Sequence, residues 1–227
     1  MNNGSARPIA VLLVTLFWIL SGWLCPVEAQ AGMIVTDPSL PPADGKYRGE
    51  PLSQPASYGP FEATEIWMVD FQNIIRSTDG ADELLTFDIK LTALLTKAFD
   101  TPLSPPVPIA FTGPLTARVF GKAGQTTGTW DAEIVSADTS GSLGPITGML
   151  RENPSFPSTG SITITDLGGG QYHVDSFFDI HTELSGDGGS TWIPDANGPH
   201  HMILVPEPAT LVLVGLGGLA LIRRRRC

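Results

Sequence analysis

The chain has 227 residues, a formal net charge of −10 at neutral pH and two cysteines, Cys25 and Cys227. Its 23 acidic residues outnumber its 13 basic ones. Nucleic-acid binding depends mainly on neutralisation of phosphates by Lys and Arg, so this charge balance argues against it. Residues 32–205 lack cysteine, which excludes disulfides and thiol chemistry from the one domain that such a length predicts.

Residues 1–31 have the pattern of a secretory signal peptide. Arg7 provides a positive N-terminal region, and residues 9–24 form the apolar stretch. Ala29 and Ala31 then frame a cleavage site just before Gly32. The pattern predicts export with cleavage at this point, and the length of the apolar stretch leaves an uncleaved membrane anchor as the alternative.

Residues 32–60 are rich in proline and show no sustained hydrophobic period. We expect an extended lead-in rather than a helix, because proline cannot donate a backbone hydrogen bond and restricts the residue before it. Residues 32–205 alone contain 8 basic and 21 acidic residues, which gives this part of the chain a net charge of about −13. The six prolines of this lead-in are Pro38, Pro41, Pro42, Pro51, Pro55 and Pro60.

Residues 61–204 are predicted to form the β-rich exported domain. In residues 84–95 the apolar side chains alternate with Thr, Asp and Lys, which predicts a strand with one wet face; a helix over residues 84–99 is the alternative. Residues 101–108 are expected to be a proline-rich connection. Short strands bounded by Gly and Pro turns indicate an all-β fold, a single β-sandwich or barrel-like domain.

A short internal repeat lies inside this domain. The residues of 113–116, Gly-Pro-Leu-Thr, return as Gly-Pro-Ile-Thr in 144–147. A second pair, Thr-Gly-Thr-Trp at 127–130 and Thr-Gly-Ser-Ile at 159–162, follows at a similar interval. Two copies are too few for a solenoid, so the internal repeat predicts two similar β-hairpins within one sheet system.

Residues 205–227 form a tail with three parts in order. Pro206, Glu207 and Pro208 come first, and the two prolines keep this backbone extended. The uncharged run 209–222 would make a helix of roughly 21 Å, shorter than the roughly 30 Å hydrocarbon core of a bilayer. The tail then ends in a basic stop that favours the cytoplasmic side, formed by Arg223, Arg224, Arg225 and Arg226.

This order of parts resembles the PEP-CTERM sorting signal, although Cys227 is outside that pattern. The resemblance implies that an exosortase, an integral-membrane relative of cysteine proteases, recognises Pro206-Glu207-Pro208 and removes the tail. The protein would pass through a transient inner-membrane-anchored intermediate to the cell surface or the extracellular polymer. A plain C-terminal anchor is the alternative.

A second resemblance concerns residues 175–194, which contain Ser-Phe-Phe-Asp, Thr-Glu-Leu-Ser, Asp-Gly-Gly and Trp-Ile-Pro. This segment, together with residues 119–129, is similar to the exported β-rich domain of other PEP-CTERM proteins. That resemblance brings no known activity with it.

Histidine and acidic residues are the candidates for a metal site. His173 and His181 are eight apart, about 26 Å in one strand, and His200 and His201 point to opposite faces if extended, so zinc is not expected. Calcium bound by turn carbonyls with Asp187 or Asp195 remains an alternative to a solvated acidic face. That face would comprise Asp175, Asp179, Glu183 and Asp187.

Sugar binding and catalysis are the remaining possibilities. Trp67, Trp130 and Trp192 are either core aromatics or a platform for sugar rings. The domain has neither a Gly-x-Ser-x-Gly motif nor a cysteine nucleophile. We therefore expect a non-enzymatic surface or matrix protein without a cofactor, associated with extracellular polysaccharide. A carbohydrate-binding or calcium-dependent adhesive module is the alternative, and an exported hydrolase is third.

Overall fold

The computed structural model describes residues 32–206, and every regular element in that range is a β-strand. Within these residues no helix is long and apolar enough to cross a membrane. The strands are β1 Met33–Val35, β2 Gly45–Gly49, β3 Ala56–Tyr58, β4 Phe61–Asp79, β5 Asp82–Ala98, β6 Thr101–Val119, β7 Gly128–Leu143, β8 Ile146–Glu152, β9 Ser158–Gly168, β10 Gln171–Ile180, β11 Thr182–Ser185, β12 Ile193–Pro194 and β13 His200–Pro206.

Eight of the strands close into a ring through antiparallel pairing. β10 pairs with β13, β13 with β2, β2 with β4, and β4 to β7 pair in sequence order. β7 pairs with β9, and β9 returns to β10. A ring of eight strands has an interior that side chains can just fill. The all-β, barrel-like prediction is confirmed in this form.

The sheet also extends beyond the ring at one end. The first half of β7 pairs with β9, whereas its second half pairs with β8. β8 in turn pairs with β11, and β11 pairs with the short β12. β8 and β9 thus act as one strand interrupted at residues 153–157, and β10 and β11 as one strand interrupted at His181.

The alternating pattern of β5 sets the inner wall of the ring. Leu85, Phe87 and Ile89 are buried, while Thr86 between them is exposed. Side chains of a strand alternate between the two faces, so this period of 2 places the apolar residues inside. The predicted strand over residues 84–95 is confirmed, and the helical alternative is wrong.

Strand β4 is irregular, with three extra residues relative to β5 between Thr64 and Ile75. Each extra residue makes a bulge, which bends a strand and increases its twist. Glu65, Asp70 and Asn73, at these irregularities, have φ of 54°, 56° and 52°. Non-glycine residues rarely adopt this left-handed conformation. The bulges therefore curve β4 and interrupt its regular pairing with β5 near these three polar residues.

Residues 32–60 differ from the expected lead-in, because they contribute β1, β2 and β3 to the sheet. β2 is a member of the ring, and its Tyr47 is buried with its hydroxyl 2.7 Å from Ser176 Oγ. Burial raises the pKa of Tyr47 to about 12. The prolines fall between these strands, so they delimit short strands instead of preventing them.

Residues 101–108 also differ from expectation, since they belong to strand β6, in which Thr101, Pro102, Val107 and Pro108 pair with β5. β7 pairs with β6 only from Phe111 onward, so this segment has no ladder partner on the β7 side, and residues 103–106 form an irregularity without a partner in β5. Proline is tolerated in such an edge segment because its missing N–H can face away from the ladder.

The internal repeat does not correspond to two equivalent hairpins. Gly144-Pro145 is the turn between β7 and β8, but Gly113-Pro114 lies within β6. A Cβ on Gly113 would approach the Asp138 carbonyl oxygen to 2.1 Å, so this glycine permits close contact between β6 and β7. Thr127 precedes β7 and Gly128 is its first residue, whereas Thr159-Gly160 lies inside β9.

Two clusters of buried side chains fill the interior. The larger cluster includes Met68, Ile89, Leu115 and Val174, and the smaller one includes Phe61. Residues of both clusters line an apolar cavity of about 90 Å³ between them. The smaller cluster comprises Ala56, Tyr58, Phe61, Leu95, Phe111, Leu143 and Leu184.

Candidate functional site

The first candidate site is the junction between the domain and its tail. β13 stays in the ring up to its last residue, where Val205 pairs with Lys46 and Pro206 with Gly45 of β2. Leu204, just before them, has no exposed surface. Pro206, the first residue of the Pro-Glu-Pro tripeptide, is therefore the end of a ring strand.

Gly32, the residue after the predicted signal-peptide cleavage site, lies at this same junction. Its N–H donates a hydrogen bond of 3.1 Å to the carbonyl oxygen of Leu204. Gly32 is buried with φ of 99°, and a Cβ there would lie 2.5 Å from the Val174 carbonyl oxygen. The position therefore requires glycine. The two predicted processing sites meet where the chain enters and leaves the ring.

The other predicted sorting residues lie outside the described residues. They are Ala29, Ala31, Glu207, Pro208, Arg223, Arg224, Arg225 and Arg226.

The second candidate site is an open groove of about 400 Å³ on the outer face of β4, β5 and β6. Half-buried Trp67 lines the groove together with Glu65, Lys90 and Pro108. The Lys46 amine lies 5.8 Å from the centre of the Trp67 ring. An aromatic surface with charged and hydroxyl groups around it is suited to hydroxyl-rich ligands, since rings stack on it while polar groups accept or donate hydrogen bonds.

The charges around this groove are balanced. Lys90 Nζ lies 3.6 Å from Asp70 Oδ2, and the Arg48 guanidinium donates to Glu50 at 2.6 Å. Arg48 is also the cross-strand partner of Trp67, and its buried Nε has no hydrogen-bond partner. On a domain with a net charge of about −13, such a balanced patch repels an anionic ligand less than the remaining surface does.

The three tryptophans do not form one platform. Trp130 is 7 % exposed and packs in the larger core cluster, with the Lys122 amine 5.5 Å from its ring centre. Trp192 lies on a loop, and the Arg151 guanidinium sits 3.9 Å from its ring centre. Of these three side chains, Trp67 is the one that lines the open groove of β4, β5 and β6.

Each of three histidines contacts a carboxylate or an aromatic ring. His200 Nε2 lies 2.7 Å from Asp195 Oδ2, and His201 Nδ1 lies 2.7 Å from Asp179 Oδ1. The ring of His181 stacks on Phe156 at 5.4 Å. His173 lies in β10, opposite Thr165 of β9. The histidines are thus distributed among separate contacts.

Asp187 holds its own loop together. Its carboxylate accepts hydrogen bonds from the Thr191 hydroxyl at 2.6 Å, the Thr191 N–H at 2.9 Å and the Ser185 hydroxyl at 2.7 Å. These bonds, first the one from the Thr191 side chain, lower the pKa of Asp187 to about 2.

The other acidic candidates also have protein partners. Asp195 accepts from the N–H groups of Ser57 and Asn197, besides its contact with His200. Glu183 is buried and pairs with Arg151. Across residues 32–206, no three His, Cys, Asp or Glu side chains are grouped so that they could hold a metal ion.

Two buried polar contacts were not foreseen from the sequence. Lys122, 5 % exposed, donates to Glu83 at 2.7 Å beneath Trp130. The Tyr58 hydroxyl lies 2.6 Å from Thr182 Oγ1, and burial raises the pKa of Tyr58. Each contact joins residues far apart in the chain, and local sequence patterns carry no signal for such pairs.

The fold and the junction define a β-domain whose last strand, β13, runs directly into the C-terminal tail. Residues 204–226 match the family model of the PEP-CTERM protein-sorting motif. The chain therefore carries a PEP-CTERM sorting motif, which indicates an exported protein that is sorted to the cell envelope through a membrane-anchored intermediate and implies processing by an exosortase. No curated protein and no solved structure matches the chain.

Proposed function

We propose that the protein is a non-enzymatic component of the cell surface or extracellular matrix that associates with extracellular polysaccharide. The observation that carries the proposal is the continuity of β13 with the matched sorting motif. Processing at Pro206-Glu207-Pro208 would release the ring of strands with no part of the apolar tail attached.

The roles of the acidic side chains support a non-enzymatic function. General acid–base catalysis needs a carboxyl or imidazole group that is free to exchange a proton with a substrate. Glu183, Asp187 and Asp195 are instead bonded to Arg151, to their own loop and to His200. These groups are occupied in holding the domain together.

The intact mass of the protein recovered from the native cell surface or medium tests the proposal. We expect a chain that starts at Gly32 and ends between Pro206 and Pro208, with any extra mass identifying the group joined to it. A recovered chain that still contains Arg223 to Cys227 would contradict processing and would support a plain membrane anchor.

The groove beside Trp67 favours a second candidate function, a carbohydrate-binding module. A half-buried indole, with Lys90 and Glu65 beside it, provides a stacking surface and hydrogen-bonding groups in one place. In this case the domain would hold polysaccharide at a defined site instead of by general association.

Affinity electrophoresis in gels that contain the matrix polysaccharide of the producing organism distinguishes the two. A defined site predicts that Trp67→Ala loses most of the retardation, whereas Trp192→Ala, on a loop elsewhere, keeps it. Equal retardation of both variants and the unchanged protein would exclude the groove as the site. Release of reducing sugar from the same polysaccharide would instead support a hydrolase.

A further inference from the structure

The end of β13 is held on both of its edges. On one edge Val205 and Pro206 pair with Lys46 and Gly45 of β2. On the other, the Leu204 carbonyl accepts the Gly32 N–H at 3.1 Å. The matched sorting motif begins at residue 204, so its first three residues belong to the folded ring.

The chain leaves little distance between the ring and the membrane. The apolar run begins at Ala209, three residues after Pro206. A fully extended chain covers at most about 3.5 Å per residue, so the ring end and the start of this run can be separated by no more than roughly 10 Å. An enzyme embedded in the membrane must therefore work directly against this end of the ring.

An enzyme that processes a peptide chain needs access to backbone groups beside the bond it acts on. Such recognition commonly uses extended chain segments whose N–H and C=O groups pair with the enzyme. In β13 these groups already have partners in β2, and a backbone group can satisfy only a limited number of hydrogen bonds. The folded end of β13 is therefore poorly accessible for recognition upstream of Glu207.

Opening of this end can be local. Leu204 and Met202 are 0 % and 2 % exposed, so they fix the strand in the core, whereas Val205 and Pro206 are only half-buried. Strand ends with few buried contacts open at a much lower free energy than the whole domain. The last two residues of β13 can thus separate from β2 while Leu204 remains in place.

We propose that the sorting enzyme acts on the form in which Val205 and Pro206 have detached from Lys46 and Gly45, so that the fold of the domain limits its own processing. The proposal rests on the proposed processing by an exosortase. It implies that processing is slower than for a tail joined to the same domain through a flexible spacer.

A reversible crosslink tests the requirement for detachment. Lys46→Cys with Val205→Cys, in a Cys25→Ser, Cys227→Ser background, places two thiols on cross-strand partners, within the Cα separation that a disulfide needs. In cells that contain the enzyme, we expect conversion of the full-length exported chain to slow at least fivefold when the crosslink is oxidised. Reductant should restore it.

A matched crosslink controls for overall stabilisation. Thr86 and Thr116 are cross-strand partners in β5 and β6, remote from β13, with hydroxyl oxygens 3.3 Å apart. Thr86→Cys with Thr116→Cys should leave the processing rate unchanged. Equal slowing by both crosslinks would mean that global stability, and not the β13 end, controls processing, and would overturn the proposal.

A spacer tests the same point in the opposite direction. Insertion of Gly-Ser-Gly-Ser between Val205 and Pro206 keeps the Pro-Glu-Pro tripeptide and frees it from β2. We expect processing at least threefold faster. Unchanged rates for both the spacer and the Lys46–Val205 crosslink would overturn the inference while leaving sorting intact, whereas no processing of the unaltered chain would refute the proposed function itself.

Discussion

Two parts of the domain combine a cation, a carboxylate and a tryptophan, but at different degrees of burial. In the Lys122 group, Lys122 donates to Glu83 and lies near the face of Trp130. In the Arg151 group, Arg151 pairs with Glu183 and lies 3.9 Å from the Trp192 ring. The Lys122 and Arg151 side chains are 6 % and 34 % exposed, respectively.

The difference shows how burial decides what such a group does. Removing one partner of a buried ion pair leaves an uncompensated charge, whereas water can replace a lost partner at an exposed site. The Lys122 group joins the start of β5 to the turn that precedes β7, deep against the core. The Arg151 group instead fastens a surface loop to β8 and β11. The first should control global stability and the second local order.

The largest effect is expected for Lys122→Ala. Glu83, with a side chain 14 % exposed, would lose its cation, and Trp130 would lose a packing contact. We expect the free energy of unfolding in urea to fall by about 3 kcal/mol. Lys97→Ala serves as control, since its pair with Glu62 is more exposed and should be worth less than about 1 kcal/mol. Equal losses would refute the role of burial.

Arg151→Ala should have an intermediate effect of about 2 kcal/mol on the free energy of unfolding. Glu183 is buried and loses its partner, although the half-exposed site admits water to compensate in part. Arg151→Lys should recover less than half of the loss. A lysine ammonium group lacks the planar guanidinium that can hydrogen-bond Glu183 and stack on the Trp192 ring at the same time. Full recovery by lysine would show that charge alone matters.

Trp192→Ala should cost about 1 kcal/mol, the contribution of a cation–π contact at a partly exposed site. Hydrogen exchange should locate the change in residues 186–194, with the exchange of β5 and β6 unaffected. Protection lost throughout the ring would contradict a local role for the Arg151 group.

The smallest change is expected for Asp187→Asn, and it should depend on pH. The pKa of Asp187 is lowered to about 2, below the roughly 3.9 of an unfolded aspartate. The carboxylate therefore stabilises the folded loop above about pH 4, and this contribution is lost as the pH falls towards 2. The thermal midpoints of the variant and the unaltered protein should differ at pH 6 and converge at pH 2. A constant difference would exclude titration of Asp187 as the cause.

The features that sequence patterns predicted are local ones. The alternation around Phe87 predicted both the strand and its buried face, because period 2 is a property of one strand. The Pro-Glu-Pro tripeptide, the apolar run and the arginines predicted the sorting motif because the parts are contiguous. Neither inference needed to know which strands are neighbours.

The features that the sequence patterns missed depend on pairing between distant segments of the chain. Tyr47 belongs to a strand because its backbone pairs with Leu204 of β13 and Met68 of β4, and no local pattern near its prolines carries that information. Pro105 and Pro106 fit strand β6 because they lie in an irregularity of its pairing with β5, and Pro108 fits because β7 starts to pair further along. The Lys122–Glu83 contact spans 39 residues. Proline content was therefore a poor guide to what lies outside the sheet.

The position of Gly32 beside Leu204 also sets which side of the domain a tether would hold. The chain enters and leaves at one rim of the ring, so a tether at either terminus would hold the domain by the same side. The turns at residues 99–100, 144–145 and 186–192 lie at the opposite rim, as the antiparallel order of the strands requires. These turns would form the outward-facing surface of the protein whichever terminus is attached, and a reporter peptide inserted there would remain accessible before and after tail removal.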